Sequence, residues 1–194
     1  MSRVTIVDLG YGNIGSIETA LRRAGAEPSR SHDPARLADA ERLLLPGVGA
    51  AGFAMQRIEA LGLVGTLRAF PRPALGICLG MHLLFERSEE GDVPMLGLVP
   101  GEVRKLLPGP GITVPHMGWS SLALETEDAG LNNGDYVYFA HSYAAEDGSA
   151  TIARAFHGRA IPALVRAGNW TGAQFHPERS GPAGRRFLKA WLDS

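Results

Sequence analysis

A single cysteine, Cys78, stands among 194 residues, so no disulfide can form within the chain. That scarcity makes a reducing compartment, the cytoplasm, the expected setting. Long apolar runs are missing too. No stretch approaches the roughly 18 residues a membrane-spanning helix needs. Residues 1–8 carry no basic segment followed by a long apolar one, so no secretory leader is expected. There is no excess of one charge either, with 19 Lys and Arg against 20 Asp and Glu. Without a basic field, neither nucleic acid nor an anionic membrane surface is an expected partner. Repeats, charge blocks and low-complexity linkers are absent, and with them any sign of a domain boundary. The chain reads as one domain, residues 1–194, long enough for one good core and short for two.

What is there is an alternation. Residues 4–7, 43–45 and 74–77 are short apolar strand candidates. Helical periods follow them over 14–24, over 53–70 with a break near Gly62, and over 79–85. Continuous apolar strands between helices indicate a parallel sheet covered on both faces. The second half is richer in strands, at 102–107, 136–141, 150–156, 163–166 and 171–175, with a last helix over 184–192. The expected fold is a three-layer α/β/α sandwich, flavodoxin-like, around a mixed and mostly parallel sheet.

Two segments carry chemistry. Gly76-Ile77-Cys78-Leu79-Gly80 has the form of a nucleophile elbow, with Cys in place of Ser. A nucleophile on a sharp strand-to-helix turn needs very small residues two before and two after it, because the turn folds those positions together. The helix start behind Cys78 favours a thiolate, and the N–H of Leu79 points toward a developing oxyanion. Taken alone, a lone cysteine is by default a small buried hydrophobe. The second segment is Gln174-Phe175-His176-Pro177-Glu178. His176 follows a strand at the sheet edge where ligands bind in open parallel sheets. Pro177 stops the strand, and Glu178 can fold back to fix the imidazole tautomer. Cys78, His176 and Glu178 are therefore the candidate nucleophile, base and orienting carboxylate.

Together these segments resemble the class I, or triad, glutamine amidotransferases. Further blocks resemble one branch, the glutaminase subunits of imidazole glycerol phosphate synthase. They are Ile6-Val7-Asp8 with Gly10, Gly12-Asn13 and Ser16; Pro46-Gly47-Val48-Gly49-Ala50; Pro115-His116-Met117-Gly118-Trp119; Tyr138-Phe139-Ala140-His141-Ser142-Tyr143; and Pro177-Glu178-Arg179-Ser180. The resemblance implies hydrolysis of glutamine through a thioester on Cys78. Ammonia would be channelled to a (β/α)8-barrel cyclase subunit, in a heterodimer that makes imidazole glycerol phosphate and an aminoimidazole carboxamide ribotide in histidine biosynthesis. It also implies oxyanion donors at Val48 and Gly49 beside Leu79, and substrate contacts at Gly47, Gly49, His82, Ser142 and Tyr143. His116, Met117, Trp119, Tyr136 and Tyr138 would meet the partner. No cofactor and no metal is implied. The chain departs from the family at His82, where Gln is usual, and at Ser120, where Asn is usual. Three alternatives stay open on sequence: a glutaminase serving another synthase, a non-catalytic scaffold, and a cysteine hydrolase of other substrates.

Overall fold

The computed structural model describes residues 1–12, 14–47, 49–125 and 129–194. Its elements follow from where apolar side chains can be hidden. Strands β1 (Ser2–Val7), β2 (Ala26–Ser31), β3 (Arg42–Leu45) and β4 (Ala74–Ile77) alternate with helices α1 (Ile14–Ala24), α2 (Pro34–Ala38), α3 (Ala51–Ala60) and α4 (Val64–Ala69). A short helix, α5 (Leu79–His82), leads into β5 (Phe85–Ser88), β6 (Val93–Pro94) and β7 (Val99–Lys105). The second half holds β8 (His116–Leu124), β9 (Tyr136–His141), β10 (Tyr143–Ala145), β11 (Thr151–His157), β12 (Arg159–Ala167) and β13 (Trp170–Ala173). A single 3₁₀ turn (Pro177–Arg179) then precedes α6 (Gly181–Asp193).

Among the described residues the main sheet has nine strands in the order β2-β1-β3-β4-β13-β12-β11-β8-β9. From β2 through β13 the neighbours are parallel, and from β13 to β9 they are antiparallel. Successive residues of β3 serve opposite layers, as the period-2 geometry of a strand requires. Leu44 packs with Ile14, Ile17, Leu21 and Phe187 of α1 and α6, while Leu43 and Leu45 pack with Met55, Ile58 and Leu67 of α3 and α4. The three-layer reading of the sequence therefore holds, including the helical break near Gly62.

Several elements differ from expectation, among them α2, β6, β8 and β10, which match no expected helix or strand. Strand β2 was not read, because Ala26–Ser31 is polar and carries Pro28, as an exposed edge strand can. The helix expected over 79–85 lasts one turn. Leu84 instead offers its carbonyl to the N–H groups of Leu98 and Val99, and Phe85 starts a strand beside Val99. A short apolar run such as Leu83-Leu84-Phe85 suits either element, and tertiary pairing chooses. The result is a second sheet, β10-β7-β5-β6, which the sequence did not announce. Among the described residues no helix is long and apolar enough to cross a membrane.

Candidate active site

Strands β4 and β13 are parallel neighbours, with Ile77 opposite Ala173, so the residues that follow each emerge side by side at one sheet edge. Cys78 follows β4, and its N–H donates to the Ala173 carbonyl at 2.7 Å. Its backbone lies at φ 52°, ψ −109°, a left-handed conformation that costs a non-glycine residue energy and persists only where the surroundings enforce it. Those surroundings are glycines. A Cβ on Gly76 would lie 2.5 Å from the Gly80 carbonyl oxygen, one on Gly80 2.0 Å from the Leu45 carbonyl oxygen, and one on Gly47 2.1 Å from the Gly80 nitrogen. Three backbones thus interlock behind the sulfur. Because α5 is only four residues long, its dipole adds little to thiolate stability. What it does offer is the Leu79 N–H, the first of the helix, with no intrahelical acceptor.

His176 and Glu178 reach the same place from β13. The imidazole Nδ1 lies 2.8 Å from Glu178 Oε1, and Glu178 Oε2 is buried without a hydrogen-bond partner. Burial alone pushes the imidazole pKa down. Hydrogen bonding and charge from Cys78 and Glu178 more than reverse this and raise it to about 10. The loop is tied to β9: the His176 N–H donates to the Tyr138 carbonyl at 2.9 Å. Ser180 Oγ donates to the His176 carbonyl at 2.7 Å and accepts the Tyr138 N–H at 3.0 Å.

A cavity of about 450 Å³ opens in front of Cys78. Its wall includes Gly47, Gly49, Leu79, His82, Ser142, Tyr143 and His176, so the residues the sequence singled out for substrate do converge. Gly49 adopts φ +94°, a conformation that favours glycine. Val48 lies outside the described residues. His82 is buried, and its Nε2 is already engaged by Gln174 Oε1 at 2.6 Å. Burial holds the His82 ring neutral, with a pKa near 4.

The interface candidates divide. Met117, Trp119 and Tyr136 are exposed by 63%, 53% and 61%, on the edge ribbon of β8 and β9. Tyr138 is half-buried under the Arg179 guanidinium, 4.1 Å from its ring centre. His116 is buried instead, stacked between Phe139 and His157 at centroid distances of 4.7 and 4.0 Å. It also belongs to a chain of hydrogen bonds. His141 Nδ1–H donates to the Tyr143 carbonyl at 2.8 Å, leaving His141 Nε2 as an acceptor 3.0 Å from His116 Nδ1. His116 Nδ1 must then carry the proton, so its Nε2 accepts from Ser120 Oγ at 2.9 Å.

Glu90, on the cavity wall, and Gln174, beside Cys78, are among the residues that the sequence reading gave no role. Glu90 accepts the Ala51 N–H at 2.9 Å and, like Arg179, lines the cavity. Gln174 is fully buried, with its Nε2 3.9 Å from Cys78 Sγ. Glu90 follows Glu89 in a polar turn with no distinguishing local pattern, whereas Gln174 sits two residues before His176 and could have been flagged by that spacing.

Known proteins resemble the chain over its whole length. The family model of class-I glutamine amidotransferases matches residues 5–193. The imidazole glycerol phosphate synthase subunit HisH of Xanthomonas euvesicatoria pv. vesicatoria (strain 85-10) is 49% identical, over 100% of this chain and 98% of that protein. The protein of the same name from Xylella fastidiosa (strain Temecula1) is 48% identical over the same shares. Among solved structures, one described as a glutamine amidotransferase superposes with a TM-score of 0.76 at 22% identity, covering 98% of this chain and 99% of that one. The glutaminase domain of Trypanosoma brucei CTPS with bound acivicin gives 0.70 at 15% identity, over 100% and 94%; these two support the fold alone. By sequence match over its full length, the chain belongs to the class-I glutamine amidotransferases, in the branch of the HisH subunits of imidazole glycerol phosphate synthase.

Proposed function

We propose that the chain hydrolyses glutamine at Cys78 and delivers the ammonia to a (β/α)8-barrel cyclase partner in a heterodimer. What singles out this chemistry is Cys78 and His176 at one cavity, with Glu178 hydrogen-bonded to the imidazole. There the imidazole keeps its proton through neutral pH because Cys78 and Glu178 favour the charged ring. The sulfur attacks the side-chain amide carbon of glutamine, and the tetrahedral oxyanion meets the Leu79 N–H, with Gly49 on the facing wall. His176 gives its proton to the departing ammonia, leaving a thioester on Cys78. It then takes a proton from water, which attacks the thioester and releases glutamate. Glu178 holds the ring in the tautomer this requires. Glu90 and Arg179 offer opposite charges to the ammonium and carboxylate of an amino acid.

The partner reading has its own support. Met117 and Pro115 line the cavity and lie in or next to β8, whose ribbon with β9 also carries the exposed Trp119 and Tyr136. Exposed aromatics beside a reactive cavity suit a surface that another subunit covers. Ammonia released under such a cover stays unprotonated and nucleophilic.

The test is glutamate release from glutamine, with and without a histidine-pathway cyclase subunit and its nucleotide ligand. Cys78→Ala is the control. Hydrolysis that depends on Cys78 and rises with the liganded partner is expected, while ammonia-dependent synthesis by the Cys78→Ala complex survives. Loss of both activities in a folded complex would refute the division of labour.

A further inference from the structure

Cys78 has a buried amide for a neighbour, and that amide has a buried histidine for a neighbour. Gln174 is 0% exposed and His82 5%. His82 Nε2 is 2.6 Å from Gln174 Oε1, and Gln174 Nε2 is 3.9 Å from Cys78 Sγ. The sulfur also lies 3.9 Å from the Ala140 carbonyl and interacts with the His176 imidazole.

A carboxamide has one accepting and one donating end, and burial leaves it no water to correct a wrong orientation. With its oxygen on His82, the histidine must supply the proton, and the NH₂ group then faces the sulfur. The reverse arrangement would set a carbonyl oxygen against a developing thiolate. We propose that Gln174 donates an N–H to the Cys78 sulfur and that His82 is the positioning residue that fixes the Gln174 amide, so His82 serves the nucleophile and not the substrate. This goes beyond the glutaminase reading, on which it rests only in taking Cys78 as the nucleophile. A neutral ring suits the role. It supplies the donor without adding a second positive charge beside the imidazolium of His176. The usual residue of the family at position 82, Gln, carries a donor at nearly the same reach.

The chain has one cysteine, so alkylation by iodoacetamide reports on Cys78 alone. Its rate is measured against pH in the wild-type chain and in Gln174→Met, His82→Leu and His82→Gln, with folding checked by near-ultraviolet circular dichroism. The ionisable groups facing the sulfur are His176 with Glu178, His82, and His141, Glu90 and Arg179 on the cavity wall; apart from His82 itself, all are unchanged across the set. Losing one hydrogen bond to a thiolate moves the pH midpoint of alkylation upward by about half a unit or more. That rise is expected in Gln174→Met and His82→Leu, with the midpoint restored in His82→Gln. In glutamine hydrolysis His82→Leu lowers kcat and leaves KM unchanged. An unmoved midpoint in any folded donor-less variant, or a rise in KM alone, overturns the proposal. The midpoints need no glutaminase activity, so a wild-type chain that fails to hydrolyse glutamine refutes the functional reading and leaves this test intact.

Discussion

Gly80→Ala places one methyl group where the structure has no room for it. The new Cβ would stand 2.0 Å from the Leu45 carbonyl oxygen, and ordinary contact begins at 3.4 Å. That oxygen cannot rotate away. It belongs to β3, a fully buried strand paired on one side with β1 and on the other with β4, where Leu45 lies opposite Gly76. Overpacking costs roughly 1–3 kcal/mol when side chains can adjust. A collision with central backbone belongs at or above the upper end, about 3 kcal/mol. For a chain of this size that lowers Tm by roughly 6–12 °C. Relief by displacing the elbow carries Cys78 with it, and a 1 Å misplacement costs on the order of 100-fold in rate. Gly65→Ala is the comparison: it lies within α4, is exposed and has nothing within 4 Å of a Cβ. It is expected to stabilise by about 0.5–1 kcal/mol. Differential scanning calorimetry and the glutaminase assay, run on both variants, decide the matter. A Gly80→Ala chain that melts no lower than the wild type would refute the interlocked-backbone account of the elbow.

Glu178→Gln keeps a hydrogen bond to His176 and removes the charge. The imidazole pKa should fall from about 10, and kcat for glutamine by about 10²–10⁴-fold, as an uncharged partner no longer stabilises the imidazolium. An unaltered pH–rate profile would contradict this. Burial lowers the pKa of His82 and His116 to about 4 and of His141 to about 3, so each ring binds fewer protons folded than unfolded. Their stabilisation is complete above pH 6.5 and drains away as pH falls toward 3–4, whereas the stability contributed by the raised pKa of His176 is complete below pH 6.5 and is lost as pH rises toward 10. Urea midpoints should drop between pH 7 and pH 5, and a flat response would count against these environments. Trp119→Ala should leave the melting curve within about 0.5 kcal/mol of wild type. It should weaken cyclase binding by about 2 kcal/mol or more, near 30-fold, in calorimetric titration; equal affinity would remove Trp119 from the interface.

Strands β1, β3, β4 and β13 and the elbow around Cys78 were legible because each has a local signature. Apolar strands buried on both faces read as continuous runs, and the elbow demands glycine at two fixed offsets from Cys78. Elements whose fate depends on remote partners were not legible. Phe85 is a strand residue because Val99 pairs with it, and Ala26–Ser31 is a strand because β1 does. In the site, the environment of His82 was hidden for the same reason: its partner Gln174 is 92 residues away. The sequence marked His82 as a departure from the family, but only the fold gives that side chain a second buried polar group to meet.

The run of hydrogen bonds from Tyr143 through His141 and His116 to Ser120 has a direction. Each ring accepts at one nitrogen and donates at the other, so the Tyr143 carbonyl inside the cavity wall dictates which atom at the rim must bring a hydrogen. Position 120 therefore answers to a rule of valence more than of size. Serine, threonine, asparagine and glutamine can all satisfy it, and an ionised aspartate of nearly the same shape as asparagine cannot, because it would set lone pair against lone pair at the end of the line. A half-exposed residue with no contact to substrate thus inherits its chemistry from a carbonyl group two imidazoles away.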